Sequence, residues 1–263
     1  MPPAAREPRA LAAGGPTVTW LGHATAVAEL GASRVLFDPL LPWRARRAGP
    51  VDAVLVTHSH VDHLNRWSLK AVNREAHLVV PFGAAGIVND LGFAHVTELR
   101  PGDQLAIGGL EVTAVPTRHD TGRWRKRELP VALGYVVRGG GATIHHAGDV
   151  DYSDHAVFDA IGKAHAIDAA LLPIGGMMPN WWYARRRDRL DRGVHIDPDT
   201  AVAIYERLGA KALVPVHWGT LNLRLGRPSA PKRRLEALVE ERGLGGVHVL
   251  AHGESLVLPQ KTP

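Results

Sequence analysis

A single loop of this sequence carries four side chains that bind metals in proteins: His58, His60, Asp62 and His63. In an extended chain alternate side chains share a face, so His58 and His60 point the same way. Asp62 and His63 follow where the chain is predicted to turn into a helix. Imidazole and carboxylate groups are ligands of divalent cations, so the loop indicates a metal site. The alternative interpretation is a set of surface histidines in a polar loop.

Further carboxylates and imidazoles follow other predicted strands: Asp38, His119, Asp149 and His217. Sheets of α/β proteins commonly place their sites at strand ends. One Asp or His there is usually a turn residue or a hydrogen-bonded side chain. Together with the metal loop there are five such strand endings, which indicates one shared edge where the groups meet.

Seven residues are therefore candidate metal ligands: His58, His60, Asp62, His63, His119, Asp149 and His217. Zinc takes about four ligands, and catalytic zinc keeps one position for water. Seven candidates are too many for one ion, whereas two ions about 3.5–4 Å apart would use them all. A carboxylate can span two ions, and Asp149 is the natural candidate. The predicted cofactor is two divalent ions, with zinc favoured by the nitrogen and oxygen ligands and iron or manganese as alternatives.

The composition narrows the chemistry further. The absence of cysteine excludes disulfides, thiolate metal sites and a cysteine nucleophile, and the 15 histidines are the unusual feature. A net charge of +5 favours anionic partners, although good solubility alone would also explain it. The sequence shows neither the apolar core of a signal peptide nor a stretch near the roughly 20 apolar residues of a membrane span. We therefore predict a cytoplasmic protein.

Short apolar runs rich in β-branched residues predict the strands that position these groups. They are residues 17–21, 25–30, 34–37, 53–56, 77–80, 110–115, 131–137, 142–145, 169–172, 212–216, 247–250 and 255–258. Helical spacing of apolar residues predicts helices at 66–73, 84–91, 153–161, 198–208 and 231–242. Asp197 and Pro198 form a good helix start, and Gly209 a plausible stop. The mixture predicts an α/β fold of two packed sheets with helices outside, as one domain over residues 16–259 after a disordered tail at 1–15.

The order of these motifs resembles the metallo-β-lactamase superfamily: a His-x-His-x-Asp-His loop, a later lone His, a Gly-Asp pair and a final His. The resemblance implies a four-layer αββα sandwich. It also implies how the ligands divide, with His58, His60 and His119 on one ion, Asp62, His63 and His217 on the other, and Asp149 bridging. Asp38 is similar to the family's buried Asp that steadies the metal loop.

Further motifs are similar to the N-acylphosphatidylethanolamine-hydrolysing phospholipase D, and in part to the L-ascorbate-6-phosphate lactonase group. They include Trp20-Leu21-Gly22-His23, Leu172-Pro173-Ile174-Gly175, His195-Ile196-Asp197-Pro198 and His217-Trp218-Gly219-Thr220. The chain departs from this branch in two Arg-rich stretches, residues 123–127 and 177–193. Both are expected to shape the substrate pocket, so the substrate does not transfer with the resemblance.

The functional hypothesis is a metal-dependent hydrolase in which a metal-bridging hydroxide attacks a phosphodiester, with Asp62 and Asp149 as catalytic residues. Lactone or carboxylic ester hydrolysis is the second hypothesis and nuclease activity the third. The absence of a recognisable RNA-binding module argues against a nucleic-acid partner. A metal-binding protein without catalysis is the alternative that is not an enzyme.

Other residues are assigned roles around the centre. His23 and His146 are expected to support the ligands, although either could simply be a packed histidine. Four residues are expected to contact the substrate: His195, Trp181, Trp182 and Arg123. Their alternatives are helix capping, an aromatic anchor for the loop, and a solvated loop. The predicted partner is a small or lipid-like anionic substrate. The aromatic and basic residues at 181–187 also fit contact with an acidic membrane surface. Nothing in the sequence predicts an oligomeric state.

Overall fold

The computed structural model describes residues 15–119, 131–151, 155–176, 195–221 and 228–260. The strands in these residues are β1 (Thr17–Gly22), β2 (Thr25–Leu30), β3 (Ser33–Phe37), β4 (Ala53–Leu55), β5 (His77–Pro81), β6 (His95–Leu99), β7 (Gln104–Ile107), β8 (Leu110–Pro116), β9 (Leu133–Gly139), β10 (Ala142–His146), β11 (Ala169–Pro173), β12 (Ala212–Val216) and β13 (Ser255–Val257). The α-helices are α1 (Pro42–Arg47), α2 (Arg66–Leu69), α3 (Ala85–Val88), α4 (Ala156–Ala164), α5 (Pro198–Leu208) and α6 (Ala230–Arg242), and a 3-10 turn covers Asn89–Leu91.

These strands form two mixed sheets. The first has the order β13-β1-β2-β3-β4-β5-β6, and the second has the order β12-β11-β10-β9-β8-β7. Strands β3 to β6 run parallel to one another, and so do β10, β11 and β12. Because β9 pairs antiparallel with both β8 and β10, β8 points the same way as β10. The carboxyl ends of the functional strands therefore lie at one edge of each sheet.

The apolar core shows four layers. One buried cluster joins the facing sides of the two sheets and includes Trp20, Phe37 and Tyr135. A second cluster packs α4, α5 and α6 on the outside of the second sheet, and a third packs α1, α2 and α3 on the outside of the first. Burial of apolar surface between layers is the main stabilising term of such a fold. The predicted α/β fold with two packed sheets and outer helices is confirmed.

Local sequence signals account for several element boundaries. The Asp197 side chain accepts a hydrogen bond from the Thr200 amide at 2.9 Å, and α5 is followed directly by Gly209, whose φ is 59°. The predicted α5 is therefore confirmed at both ends. The helix predicted at 66–73 ends early, at Leu69, after a start capped by the Asn65 side chain.

Other sequence predictions are wrong. Residues 247–250 do not form a strand, because only an isolated bridge links Val247 to Leu213. Helix α1 and strands β6 and β7 have no counterpart among the predicted elements. In the described part of the chain no helix is long and apolar enough to cross a membrane.

Candidate metal centre

The metal-binding loop at residues 58–63 follows β4 and is held between the two sheets. The backbone oxygen of Val56 accepts a hydrogen bond from Tyr135 Oη at 2.8 Å, and that of Thr57 accepts one from the Leu133 amide at 2.9 Å. After His60 the chain turns, and the Leu64 amide donates to the His60 carbonyl at 2.7 Å. The turn brings the end of the loop back towards the sheet edge.

Three imidazoles and a carboxylate form the first cluster. His58 Nε2 lies 2.9 Å from His60 Nδ1, and His119 Nε2 lies 3.1 Å from the same atom. Asp149 Oδ2 lies 3.7 Å from His58 Nε2 and from His119 Nε2. The structure thus brings together, from three separate strand ends, the residues that the sequence assigned to one ion.

Asp62, His63 and His217 form the second cluster, which also includes His23. Asp62 Oδ2 lies 3.8 Å from His63 Nε2 and 3.7 Å from His217 Nε2. His23 Nε2 is closer to this carboxylate, at 2.9 Å. The ligand atoms of all four residues lie within 4.8 Å of one another. The sequence-assigned ligands of the second ion are therefore also together, with His23 in direct contact.

Asp149 lies between the two clusters. Its Oδ2 is 3.2 Å from His63 Nε2, and its Oδ1 is 3.2 Å from His217 Nε2. The same Oδ2 faces His58 and His119 of the first cluster. The side chain is only 1% exposed, so both oxygens are directed into the interior. A carboxylate in this position can serve two cations, which is the bridging role that the sequence assigned to it.

The donor atoms fit a divalent cation. His63 Nε2, Asp149 Oδ1 and His217 Nε2 are buried and have no hydrogen-bond partner among the described residues. Buried polar atoms normally have a partner. Three such atoms close together are therefore explained by one partner that contacts all of them, as a bound cation would. Imidazole nitrogen and carboxylate oxygen are the donor types that zinc and related metals take.

Two buried carboxylates fix the orientation of ligand imidazoles. Asp38 Oδ2 lies 2.7 Å from His63 Nδ1, and Asp151 Oδ1 lies 3.0 Å from His119 Nδ1. Each carboxylate accepts the Nδ1 proton, so the Nε2 lone pair faces the centre. Asp38 also accepts hydrogen bonds from the backbone amide and hydroxyl of Thr57, at 2.8 and 2.7 Å. Asp38 therefore holds the loop, as the sequence analysis expected.

The electrostatics of the centre favour positive charge at its middle. Burial lowers the pKa of His58 well below its usual value, and burial beside His119 lowers that of His60, so both rings are neutral. Burial alone would raise the pKa of the Asp62 carboxyl, but the imidazoles of His217 and His23 hold it far below its usual value. Burial would likewise lower the pKa of His63, yet Asp149 and Asp38 raise it. The Asp62 and Asp149 carboxylates, whose pKa values are both lowered by neighbouring imidazoles, stay ionised and favour a cation beside them.

His23 is positioned by its backbone. It has a φ of 53°, in the left-handed region that few residues other than glycine adopt. The Thr220 hydroxyl accepts from the His23 amide at 2.8 Å, while the His23 carbonyl accepts from Trp20 Nε1 at 2.8 Å and from the His217 amide at 2.9 Å. Asp38 and His217 also have positive φ values, 40° and 59°. Strained residues held by several bonds are common at functional sites.

His146 supports the turn that presents Asp149. Its Nδ1 accepts a hydrogen bond from the Gly148 amide at 3.1 Å, and its Nε2 lies 2.8 Å from the Ala24 carbonyl. The ring stacks on Phe37 with centroids 4.9 Å apart. The residue is fully buried and is not part of either ligand cluster.

His195 lies closer to the centre than the sequence analysis expected of a substrate contact. Its Nδ1 is 3.3 Å from Asp149 Oδ2, and its ring stacks against His217 with centroids 5.0 Å apart. Its side chain is 18% exposed and that of Asp62 is 19% exposed, whereas Asp149 and His119 are almost completely buried. His195 and Asp62 therefore mark the open side of the centre, where a substrate would approach.

Three predicted substrate residues, Arg123, Trp181 and Trp182, lie outside the described residues. Three supporting residues were not among the predicted site residues: Asp151, Thr57 and Thr220, which contact His119, Asp38 and His23 respectively. The only sequence signal for Asp151 was its position two residues after Asp149.

This chain is similar in sequence to one protein family and to several individual proteins. The family described as the Beta-lactamase superfamily domain matches residues 30–218. A UPF0173 metal-dependent hydrolase of Methanopyrus kandleri is 33% identical over 247 residues, covering 90% of this chain and 98% of that protein. An uncharacterized protein of Mycobacterium tuberculosis is 30% identical over 249 residues and 85% of this chain. The chain covers only 64% of that mycobacterial protein's length.

Solved structures share the fold at lower identity. Igni18, a metallo hydrolase from Ignicoccus hospitalis, has a TM-score of 0.69 at 23% identity and covers 92% of this chain and 97% of its own. An isothiocyanate hydrolase from Delia radicum gut bacteria has a TM-score of 0.71 at 19% identity, covering 92% of this chain and 98% of its own. At these identities the likeness supports the architecture alone.

Proposed function

The chain belongs to the Beta-lactamase superfamily domain family, and from that premise we propose that it is a hydrolase that uses two divalent metal ions, zinc first among them. The observation that supports this proposal most directly is the position of Asp149, whose two oxygens face the imidazoles of both ligand clusters. In this proposal His58, His60 and His119 would hold one ion, Asp62, His63 and His217 would hold the other, and Asp149 lies where its carboxylate could serve both. Iron and manganese accept the same donors and stay as alternatives.

Charge balance supports the number of ions. Four carboxylates surround the centre: Asp38, Asp62, Asp149 and Asp151. Buried charges must be compensated, because the interior solvates them poorly. The pKa values of His58 and His60 are lowered, so those rings stay neutral. Asp149 and Asp38 raise the pKa of His63, and Asp151 raises that of His119, so protons on these two rings compensate part of the negative charge. Two divalent cations would displace these protons from the centre and balance the carboxylates in their place.

The cations would supply Lewis acidity, which makes hydroxide available near neutral pH and stabilises negative charge developing on the substrate. The chain's own residues supply orientation. His23 holds Oδ2 of Asp62, and Asp62 Oδ1 makes no hydrogen bond or ion pair with other described residues. Oδ1 can therefore accept a hydrogen bond from an attacking water on the open side. His195, beside Asp149 on that side, is positioned to contact the substrate.

We favour a phosphodiester substrate, small or lipid-like. The net charge of +5 favours an anionic partner, and a balanced centre can accept the extra charge that develops on phosphoryl oxygens. The resemblance of residues 20–23, 195–198 and 217–220 to the phospholipase D branch points the same way. Lactone and carboxylic ester hydrolysis would use the same geometry on a neutral carbonyl and would show in the same assay.

Metal analysis followed by a substrate panel tests the proposal. The purified protein should contain about two equivalents of metal. It should hydrolyse a chromogenic phosphodiester faster than a lactone, a carboxylic ester or single-stranded RNA. His60→Ala and Asp149→Ala should lose metal and turnover, while His77→Ala, a matched change on β5 outside the centre, should lose neither. Full activity after complete metal removal would refute the proposal, and metal binding without turnover of any substrate would favour a non-catalytic protein.

A further inference from the structure

Four large apolar side chains are exposed on one rim of the molecule. Trp43, Val61, Trp67 and Phe82 are 58%, 62%, 76% and 43% exposed. Trp43 lies on α1 after β3, Val61 and Trp67 follow β4, and Phe82 directly follows β5. Since β3, β4 and β5 are parallel neighbours, their carboxyl ends share an edge. We call this set the aromatic rim.

The rim is continuous with the open side of the metal centre. Val61 lies between His60 and Asp62 in the metal loop, and Asn65 Nδ2 donates to the Val61 carbonyl at 3.1 Å just before α2 begins. Helix α1 packs against α2, which brings the two tryptophan-bearing segments together. Grouped large apolar side chains on a protein surface indicate an interaction site, whereas single ones need no explanation.

Basic side chains accompany the exposed rings. Arg46, Arg47 and Lys70 are exposed and form no ion pair within the described part of the chain. Lys70 Nζ lies 5.8 Å from the ring centre of Trp67, and the Arg100 guanidinium lies 3.3 Å from that of Phe82. Helix α1 contains no acidic residue. The rim therefore combines rings and positive charge.

That combination identifies the partner by its chemistry. Tryptophan rings settle at the boundary between water and lipid, and Lys and Arg are attracted to anionic headgroups. A second copy docking through the same surface would bring Arg46, Arg47 and Lys70 of both copies into one interface, and their like charges would repel. An anionic lipid surface would accommodate the aromatic rings at its boundary with water and would attract the basic side chains.

We propose that the aromatic rim, with Arg46, Arg47 and Lys70, docks this protein on the surface of an anionic lipid bilayer. Docking would turn the open side of the metal centre, marked by Asp62, towards the headgroup layer. The inference goes beyond the proposed function because binding to lipid requires no turnover.

Vesicle sedimentation tests the inference on the full chain. The protein should bind vesicles of equal parts phosphatidylcholine and phosphatidylglycerol and should bind phosphatidylcholine vesicles weakly. Higher salt should weaken binding, since headgroup attraction is screened. Trp43→Ser with Trp67→Ser should lower the partition coefficient about tenfold, as expected when two rings no longer bury apolar surface. Arg46→Gln with Arg47→Gln should lower it about fivefold for each charge removed.

Matched controls come from the opposite edge of the sheets. Val257 is 57% exposed and pairs with Thr17, at the end of β1 away from His23. Arg138 is exposed at the far end of β9, away from Leu133 and the metal loop. Val257→Ser and Arg138→Gln should leave binding unchanged, and all variants should keep the wild-type circular dichroism and metal content.

Three results would overturn the inference. They are failure of the wild type to bind either vesicle, equal binding to both vesicle types, and unchanged binding by the Trp43 and Trp67 double variant. Sedimentation equilibrium provides an independent check. A wild-type dimer that the same double variant converts to monomer would assign the rim to contact between copies of the chain instead.

Discussion

The buried Oδ2 of Asp38 lies 2.7 Å from Nδ1 of His63, and both side chains are completely shielded from solvent. Asp38 follows β3 and His63 ends the metal loop after β4, so two neighbouring parallel strands bring the pair together. A carboxylate here can only accept, which places the proton of His63 on Nδ1 and leaves Nε2 free for a cation. This contact therefore decides which ring nitrogen of His63 faces the centre.

Asp38→Asn should weaken metal binding about 10–100-fold, the usual cost of losing such a supporting contact. An amide NH₂ facing His63 would favour the opposite tautomer, with a proton on Nε2 where the cation should sit. Competition with a chromogenic chelator measures the affinity. Asp168→Asn is the matched control, because Asp168 is equally buried but accepts from the Thr143 amide away from the centre. Equal losses in both variants would contradict the assignment.

His23→Phe should lower kcat about 10–100-fold with a small change in KM, because the ring is retained while the contact with Asp62 Oδ2 is lost. The second metal equivalent should also bind more weakly, which a titration with cobalt would show as a changed visible spectrum. Burial beside His217 lowers the pKa of His23 to about 4, so its role near neutral pH is that of a neutral donor. An unchanged cobalt spectrum would reduce His23 to a packing residue.

The residues of the two His/Asp clusters could be predicted from sequence because their chemistry is local. Imidazoles and carboxylates at successive strand ends have few other reasons to occur together, and parallel strands bring their ends to one edge. Asp149, reached through Gly148 after β10, is the strongest example. The prediction needed only residue type and the direction of each strand.

The supporting residues could not be predicted in the same way. Asp151 and Thr220 are ordinary turn or loop residues in the sequence, and their roles depend on the positions of His119 and His23 in three dimensions. The edge strands β6 and β7 were not predicted because they are partly exposed and carry polar residues, so they lack a clear apolar run. The apolar run at 247–250 forms only an isolated bridge with Leu213. It was predicted as a strand because an apolar pattern in the sequence cannot show whether a partner strand is available.

Gly175→Ala should destabilise the protein and disturb the second ligand cluster. A Cβ at Gly175 would lie 2.1 Å from the His217 carbonyl oxygen and 3.2 Å from its Nδ1, so the backbone that carries His217 would have to move. We expect a loss of about 1–3 kcal/mol in the free energy of unfolding, together with weaker metal binding. Thermal unfolding with and without a chelator separates the two effects.

Gly86→Ala is the control for that substitution. Gly86 lies in α3, and nothing lies within 4 Å of a Cβ built there. Alanine is favoured over glycine in a helix by about 0.5–1 kcal/mol, so this variant should be as stable as the wild type or more so. Equal destabilisation by both substitutions would show that the space beside His217 is not the cause.

His145 should make the protein sensitive to mild acid. The side chain is fully buried on β10 with Nδ1 3.2 Å from the Tyr135 carbonyl, and burial lowers its pKa to about 3 from an ordinary value of 6.5. Above pH 6.5 neither the folded nor the unfolded state is protonated there. As the pH falls from 6.5 towards 3, only the unfolded state gains the proton, so stability falls by up to about 1.4 kcal/mol per pH unit.

His145→Leu removes this titrating group while keeping an apolar side chain in the core. The free energy of unfolding should therefore fall less steeply with acid in the variant than in the wild type. Denaturant unfolding at a series of pH values between 7 and 4 gives both curves, at about unit spacing. The quantity that matters is their difference, because other histidines titrate equally in both proteins. Parallel curves over that range would mean that His145 is protonated in the folded state, and would contradict the buried neutral ring.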